Sequence, residues 1–520
     1  MKKPIFALLC FCSATAMAQS NADDSLSVAI EMQGSFSNTK TPLWLNANKY
    51  GLSSLAASNG YMRGIAIYDK NINDELKLEV GADFAIPVSY KIQGGKSHFT
   101  RSFMFQQAYV EGNWKYGVLT VGAKRQQMEL KNDELTTGSQ TLGINADPIP
   151  QVRLGLNRYW PVPFTQEWLS FKGHAAFGIM VDAPWETAAA KGTIYKYNRY
   201  TRYHQKAGYL RIGKEENFPL TLTLGLEMAA QFGGSVYNWI GTDENGWKGG
   251  NVKFKSGLSN YFHAFIGTGG SGDEGESIYA NSEGNILGSW VGRLNWNDEN
   301  IEVGAYFDHF FEDHSTMLFH DYDGYGTGDQ WNMKVNNRYF RYDLKDALVG
   351  IDVKLKKFTY VNQAVVEYIN SRYQGGPIYH DHTVSNSTHI AGRDNYYNHA
   401  KLSGWQHWGQ VIGNPLFTSP IYNNDGYIGV RNNRFKAWHL ALAGDPIEGL
   451  HYRAKLTWEK GYGTYDRPYY YPMTTTSILL EGTYTFPKTG VAVTVAYGSD
   501  FGDLLGDNSG LQTTIKYQIK

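Results

Sequence analysis

The stretch Leu220-Thr221-Leu222-Thr223-Leu224-Gly225-Leu226-Glu227-Met228 decides the fold. Every second residue is large and apolar, and the residues between them are small or polar. Because successive side chains of a β-strand point to opposite faces, this pattern predicts a strand with one apolar and one polar face. The same period of two recurs in residues 76–84 and 450–459. The chain is therefore predicted to be all-β.

Working outward from this stretch, we identify eighteen candidate strands. They cover residues 26–36, 60–70, 76–88, 101–112, 115–124, 148–157, 168–181, 204–214, 219–232, 287–296, 300–311, 346–355, 358–372, 434–444, 448–461, 476–487, 489–499 and 510–520. Residues 258–267 also look strand-like, but we assign them to a long loop, partly because an even number of strands then results. Connections after even strands are short, and nearly all others are longer, as in a transmembrane antiparallel outer-membrane β-barrel with short periplasmic turns and long extracellular loops.

The N-terminus predicts export. Lys2 and Lys3 precede an apolar run, and Ala16-Met17-Ala18 is a small-x-small cleavage site, so residues 1–18 read as a signal peptide. Both cysteines fall within it. After residue 18 no apolar run approaches the roughly 18 residues of a spanning helix. We therefore expect residues 19–520 to form a single barrel domain that crosses the Gram-negative outer membrane many times as strands.

Composition narrows the function. The 520 residues carry 48 basic and 49 acidic side chains, a formal net charge of −1, which argues against a nucleic-acid ligand. The chain has 37 Tyr, 25 Phe and 14 Trp at a mean hydropathy of −0.42, a combination that suits aromatic girdles or sugar-stacking surfaces. The structural alternative is a soluble double-sheet protein. That alternative would need several domains with linkers, and no linker composition is visible.

The polar faces of the strands carry charges of both signs, which argues against a strongly ion-selective pore. The residues expected to face the lumen include Lys77, Glu79, Asp83, Lys124, Arg153, Lys172, Glu302, Asp352, Lys354, Arg453 and Lys455. At this strand number a barrel leaves an aqueous lumen unless loops fill it. The structural interpretation is that these charges pair with one another across a water-filled lumen. The functional interpretation is that some of them line a solute path or a glycan-binding groove.

The long loops hold the other candidate chemistry. Residues 312–345 and 373–433 are crowded with Tyr, Asn, Asp, His and Trp, which suit stacking on sugar faces and hydrogen bonding to hydroxyls. A plain loop crust or interfacial girdle is the alternative. No catalytic motif occurs, so we expect no enzyme and no cofactor. His380 and His382 flank Asp381 without a third ligand at defined spacing, so we expect no metal site.

Five segments in order resemble the Wzi-type capsule-assembly family of outer-membrane proteins, in the form found in Bacteroides-like bacteria. They are PLWLNANKYGL (residues 42–52), GINADPIPQVR (143–153), LSFKGH (169–174), NYYNH (395–399) and GWQHWGQVIGNPLF (404–417). The resemblance implies an eighteen-stranded barrel that acts as a non-enzymatic lectin and attaches exported capsular polysaccharide to the cell surface. The resemblance also implies that enterobacterial members of the family have a helical bundle near the N-terminus that plugs the periplasmic end of the barrel. Here only about seven residues separate Gln19 from the first predicted strand, so closure of the lumen would have to come from loops.

Ten residues are candidates for glycan binding, by ring stacking, amide hydrogen bonding or charge. They are Trp44, Asn46, Asn48, Tyr50, Arg153, Trp405, His407, Trp408, Tyr469 and Tyr470. The expected partners are capsular or surface polysaccharide, outer-membrane lipid and lipopolysaccharide, but not nucleic acid, and a monomer is favoured. The alternative function is a porin-like diffusion channel for small polar solutes.

Overall fold

The computed structural model describes residues 24–52, 54–89, 101–243, 246–267, 283–312, 346–374 and 395–519. The predicted signal peptide lies outside these residues. Among the described residues no helix is long and apolar enough to cross a membrane.

Eighteen antiparallel strands form a closed barrel in this part of the chain. They are β1 Asp24–Lys40, β2 Ala56–Asn71, β3 Leu76–Ser89, β4 Met104–Trp114, β5 Gly117–Ala123, β6 Gln151–Leu156, β7 Leu169–Ile179, β8 Arg202–Ile212, β9 Leu220–Phe232, β10 Asn285–Asn297, β11 Ile301–Glu312, β12 Ala347–Leu355, β13 Gln363–Asn370, β14 Phe435–Ile447, β15 Leu450–Gly463, β16 Pro468–Thr485, β17 Val491–Phe501 and β18 Asn508–Ile519. Strand β6 resumes at Trp160–Pro161, since both pieces pair with β7.

The first and last strands close the barrel. Strand β1 pairs with β2 on one side and with β18 on the other, from Val28 opposite Ile519 to Ser37 opposite Gly510. Closure leaves no sheet edge with unpaired backbone groups, which a membrane would not tolerate. The predicted all-β barrel of eighteen strands is confirmed. The main boundary difference is β16, which begins eight residues earlier than predicted because it keeps pairing with β15 as far as Gly463 opposite Pro468.

The apolar faces of the strands point outward. On β9, Leu224 is 43% exposed, whereas the neighbouring Thr223 is 4% exposed on the lumen side. Exposed aromatic rings gather where the strands meet the short turns, and Phe218 and Trp296 pack edge to face there at 5.7 Å. The other exposed rings of this girdle include Trp114, Trp160, Trp168, Phe358, Tyr360, Phe486 and Tyr517. The barrel spans the outer membrane, with its short turns on the periplasmic side.

The described extracellular loops add a few short elements. The helices are α1 Leu43–Asn46, α2 Ala183–Ala190, α3 Leu258–Ile266 and a 3₁₀ turn at Pro420–Tyr422. Segments Tyr197–Arg199, Ser235–Asp243 and Gly246–Lys253 form a small sheet, and Gln406–His407 pairs with Gln410–Val411. The strand-like residues 258–267 lie outside the barrel wall, as assigned, but they form a helix over Leu258–Ile266. Their apolar residues also fit a helical period, and Gly267 ends the helix at φ 77°.

Candidate functional site

Two inward-folded loops fill the lumen; we call residues 124–150 and 395–434 together the plug. Trp405 and Phe417 of the plug are fully buried in one apolar cluster that reaches Tyr203 on β8, Leu348 on β12 and Leu479 on β16. Because these strands lie on different sides of the barrel, the cluster crosses the lumen. The charged lumen predicted from sequence is therefore largely occupied by protein.

Polar groups of the wall hold the first plug loop. Lys131 Nζ donates to Asp308 Oδ2 on β11 at 2.5 Å, and this ion pair is almost completely buried. The backbone N–H of Thr137 donates to Glu367 Oε2 on β13 at 2.8 Å. A buried charge pair of this kind holds its partners in one geometry, because an unpaired member would be costly.

The two plug loops also hold each other. Asn414 Nδ2 donates to Gly138 O at 2.9 Å, and Tyr397 Oη donates to Gln140 O at 2.5 Å. Gly413 approaches so closely that a Cβ on it would lie 1.9 Å from Gln140 O. The second loop can therefore seat against the first only with glycine at position 413.

Two of the predicted glycan residues, Trp44 and Asn46, lie in helix α1, which is buried. Trp44 is 2% exposed, its Nε1 donates to Thr457 Oγ1 at 3.0 Å, and Lys455 Nζ lies 4.7 Å from its ring centroid. Asn46 Nδ2 contacts Tyr422 Oη at 3.5 Å. Trp44 thus holds helix α1 to the wall and Asn46 holds it to the plug, and contact of either side chain with a glycan stays a prediction.

Asn48 and Tyr50 follow in the same segment. Asn48 Nδ2 donates to Thr137 O at 3.0 Å, and Tyr50 Oη donates to Gln126 O at 3.0 Å. The Arg125 guanidinium lies 4.9 Å from the Tyr50 ring centroid. Burial raises the pKa of Tyr50 to about 12, so the phenol keeps its proton. Of these four residues, Tyr50 lines a cavity.

Trp405, His407 and Trp408 all belong to the plug. Trp405 is 0% exposed and packs 5.9 Å from the Tyr203 ring. His407 Nδ1 lies 2.9 Å from Asp147 O. Trp408 lies beneath the Arg101 guanidinium, 4.1 Å from its ring centroid. The predicted trio therefore comes together, but in the packed interior, and its role toward a glycan stays untested.

Arg153 faces a cavity of about 420 Å³ between the wall and the plug. Other cations of this cavity have carboxylate partners: Lys124 Nζ lies 2.8 Å from Glu79 Oε1 and 2.9 Å from Glu111 Oε1. Among the described residues Arg153 makes no ion pair, and its Nε is buried without a hydrogen-bond partner. The cavity also contains Asn113 and Asn157, which adjoin periplasmic turns, so it lies on the periplasmic side of the plug.

A second cavity, of about 300 Å³, lies on the extracellular side and contains aromatic rings next to amides. Its lining includes Tyr195, Lys196, Asn395, Asn398, His399 and Tyr427. The rings of Tyr195 and Tyr427 meet edge to face at 5.3 Å. Residues 395–399 belong to the family resemblance but are not among the ten predicted glycan-binding residues. Their Asn, Tyr and His side chains are the feature of the sequence that could have indicated a binding site here.

His399 lines this outer cavity, and one of its ring nitrogens has no hydrogen-bond partner among the described residues. Its Nδ1 accepts hydrogen bonds from the backbone N–H groups of Lys401 at 3.1 Å and Leu402 at 2.9 Å. Burial holds the pKa of His399 well below its ordinary value, helped by Lys196 and Lys401, so the ring is neutral. The proton therefore sits on Nε2, which is buried and has no partner among the described residues.

The predicted tyrosines 469 and 470 lie at the outer end of β16. Tyr470 is 101% exposed, and its ring meets that of Tyr471 at 6.0 Å. Tyr469 is half-buried. Of the ten predicted residues, Tyr470 is thus fully open to solvent.

No group of three His, Cys, Asp or Glu residues that could hold a metal occurs within the described ranges. His380, Asp381 and His382 lie outside them.

Fold and lumen together define a class of protein: an outer-membrane β-barrel whose own loops fold inward and fill it. No protein-family model matches the sequence, and no curated protein matches it. Among solved structures, the chain is similar to Pseudomonas aeruginosa OprD, with a TM-score of 0.43, 8% identity, and coverage of 96% of this chain and 95% of that one.

Two further similar structures come from other bacteria. Acinetobacter baumannii OccAB3 has a TM-score of 0.46 at 9% identity, covering 96% of this chain and 100% of that one. A BenF-like porin from Pseudomonas fluorescens has a TM-score of 0.46 at 7% identity, covering 96% of this chain and 99% of that one.

Proposed function

We propose that this chain is a non-enzymatic outer-membrane protein that binds and anchors surface polysaccharide at its extracellular mouth. The observation that carries the proposal is the packed plug: Trp405, Phe417 and their neighbours join opposite walls, which leaves the outer side of the plug as the place to hold a ligand. The resemblance of residues 42–52, 143–153, 395–399 and 404–417 to the Wzi-type family supports the same function.

The chemistry of the outer cavity suits a sugar. Tyr195 and Tyr427 present rings for stacking on the C–H faces of a sugar. The His399 Nε2–H could donate a hydrogen bond to a sugar hydroxyl or ring oxygen. Exposed Tyr470 and Tyr471 widen the aromatic surface. Polysaccharide repeats would let several weak contacts of this kind add up along one chain.

The test measures binding of surface polysaccharide, extracted from the producing bacterium, to the full-length barrel in nanodiscs. We expect His399→Phe and Tyr427→Ala each to weaken binding about tenfold, the loss of one or two good contacts. The matched control is Tyr360→Ala, an exposed tyrosine (64%) at the periplasmic end, which should leave binding unchanged. Equal binding by the His399 and Tyr427 variants, with the barrel correctly folded, would count against this site.

The polar cavities beneath the plug favour a second candidate, a channel for small polar solutes. The cavity at Arg153 measures about 420 Å³, and another of about 370 Å³ is lined by Arg293, Asp352 and Lys354. Such a channel would need the plug to move, because the apolar cluster crosses the lumen between these cavities and the outside. Solute uptake by proteoliposomes separates the two functions: uptake through wild-type protein supports the channel.

A further inference from the structure

Helix α3 lies on the outer surface of the barrel wall, not in the lumen. Register places Phe177, His204, Ala230 and Ile286 side by side on the outward face of β7 to β10. The ring of Tyr261 in α3 lies 5.3 Å from that of Phe177. The helix therefore covers the side of the wall that elsewhere faces lipid.

The outward-facing side chains beneath helix α3 are as buried as those of a protein core. Outward-facing Phe232, Ile286 and Phe311 are each 0% exposed, and Met228 is 4% exposed. Leu224, on the same outward face of β9 but nearer the periplasm, is 43% exposed. Helix α3 thus forms a second layer over the extracellular end of four strands.

The helix sits at the height of the outer membrane boundary. From Leu220 to Ala230 the chain rises roughly 33 Å along β9, which becomes roughly 25 Å along the barrel axis at a strand tilt near 40°. The apolar band of such barrels is also roughly 25 Å tall. Because Phe218 and Trp296 mark the periplasmic boundary beside Leu220, α3 lies at the opposite boundary.

The outer surface of α3 is apolar. Leu258 is 90% exposed, Phe262 is 60% exposed and Ile266 is 42% exposed, and their spacing of four residues places them in one stripe. The polar groups turn elsewhere: Asn260 is 4% exposed and donates to Glu283 Oε1 at 2.8 Å. An apolar stripe of this kind on a barrel exterior is the side that would face hydrocarbon.

We propose that α3 is an interfacial helix whose stripe of Leu258, Phe262 and Ile266 inserts between the acyl chains of the outer-leaflet lipid. The stripe lies on the same outer side of the barrel as the lipid-facing belt, and three side chains cover much less than the roughly 800 Å² per partner of a stable protein interface. Outward-facing Arg202 and Lys206 lie beside the helix, where anionic headgroups would meet them. The inference depends on the barrel alone and not on polysaccharide binding.

The experiment measures whether acyl chains reach the stripe. The fluorescent residue acridonylalanine takes the place of Phe262 in the full chain, and the barrel is placed in nanodiscs with or without lipid brominated in its acyl chains. Leu224 in the belt is the lipid-exposed reference position. Ile194, which is 77% exposed in an extracellular loop, is the water-exposed reference. We expect bromolipid to quench position 262 as strongly as position 224 and much more than position 194.

Two outcomes would overturn the proposal. Quenching at position 262 no stronger than at 194, with free access for aqueous iodide, would place α3 in water. Protection from both quenchers would mean that a second copy or another protein covers the stripe. The same probe at Leu258, which makes no packing contact needed for folding at 90% exposure, repeats the measurement independently.

Discussion

At the scale of single residues, the buried ion pair between Lys131 and Asp308 joins the plug to the wall. Its side chains are 3% and 0% exposed, and Asp308 Oδ2 also accepts the Gln140 N–H at 3.1 Å. Lys131→Met would leave a buried carboxylate without its cation, at a cost of about 3–5 kcal/mol. We expect amide hydrogen exchange to show this loss of protection in residues 131–140, while the barrel strands keep theirs.

The matched control is the exposed ion pair of Lys77 with Asp69 at 2.8 Å, where the lysine is 47% exposed. Lys77→Met should cost less than about 1 kcal/mol, because water screens an exposed pair. Equal effects of the two substitutions would contradict the view that burial makes the Lys131 pair important.

Asp346 predicts a pH dependence at the extracellular mouth. Burial raises its pKa to about 6, although the N–H groups of Tyr373 and Gln374 donate to it. Because the folded pKa is above the usual 3.8, this carboxyl favours the folded mouth most below about pH 4, and that contribution disappears as the pH rises through 6. The protection factor, which is the intrinsic exchange rate divided by the observed rate at the same pH, should therefore be higher for residues 371–374 at pH 4 than at pH 7.5.

Asp346→Asn supplies the comparison, since it removes the titration and keeps an acceptor oxygen. The protection of residues 371–374 in this variant should no longer change between pH 4 and pH 7.5. A variant that kept the wild-type pH dependence would assign the effect to another group.

At the scale of elements, the contact between the two plug loops depends on Gly413. An added methyl would meet Gln140 O at 1.9 Å and Tyr397 Oη at 2.0 Å, so Gly413→Ala must push the loops apart at about 1–3 kcal/mol. We expect faster proteolysis within residues 395–434 and an unchanged heat-modifiable barrel band on electrophoresis. Gly482→Ala on β16 is the control, because a Cβ there meets nothing within 4 Å.

The strands could be predicted from the sequence, and so could closure by loops, but not which side chains pack inside the plug. Alternation along β9 specifies both a strand and its lipid side, because lipid and lumen make opposite demands on neighbouring residues. Trp405 and Trp408 lack such a signal: aromatic rings beside glycine and amides suit a sugar-binding loop and a packed interior equally well. Burial of Trp405 depends on contacts with residues such as Tyr203, about 200 positions away, which no local pattern encodes.

Helix α3 shows the same limit. Leu258, Phe262 and Ile266 fit a helical period, although the segment also looks strand-like, and short apolar runs of this kind are ambiguous. The position of the helix depends on its packing against the outward-facing residues of β7 to β10, which the local sequence pattern does not encode.

At the scale of the whole molecule, the packed interior predicts a closed barrel. In the described part of the chain, the apolar cluster links β8, β12 and β16 through Trp405 and Phe417, and polar cavities lie beneath it at Arg153 and at Arg293. In planar bilayers the wild-type protein should therefore show no steady conductance of porin size. Lys131→Met weakens the contact between plug and wall, and Gly413→Ala weakens the contact between the two plug loops. Both variants should produce transient channel openings, and Gly482→Ala should not. Steady wide conductance of folded wild-type protein would contradict the closed lumen and favour the channel.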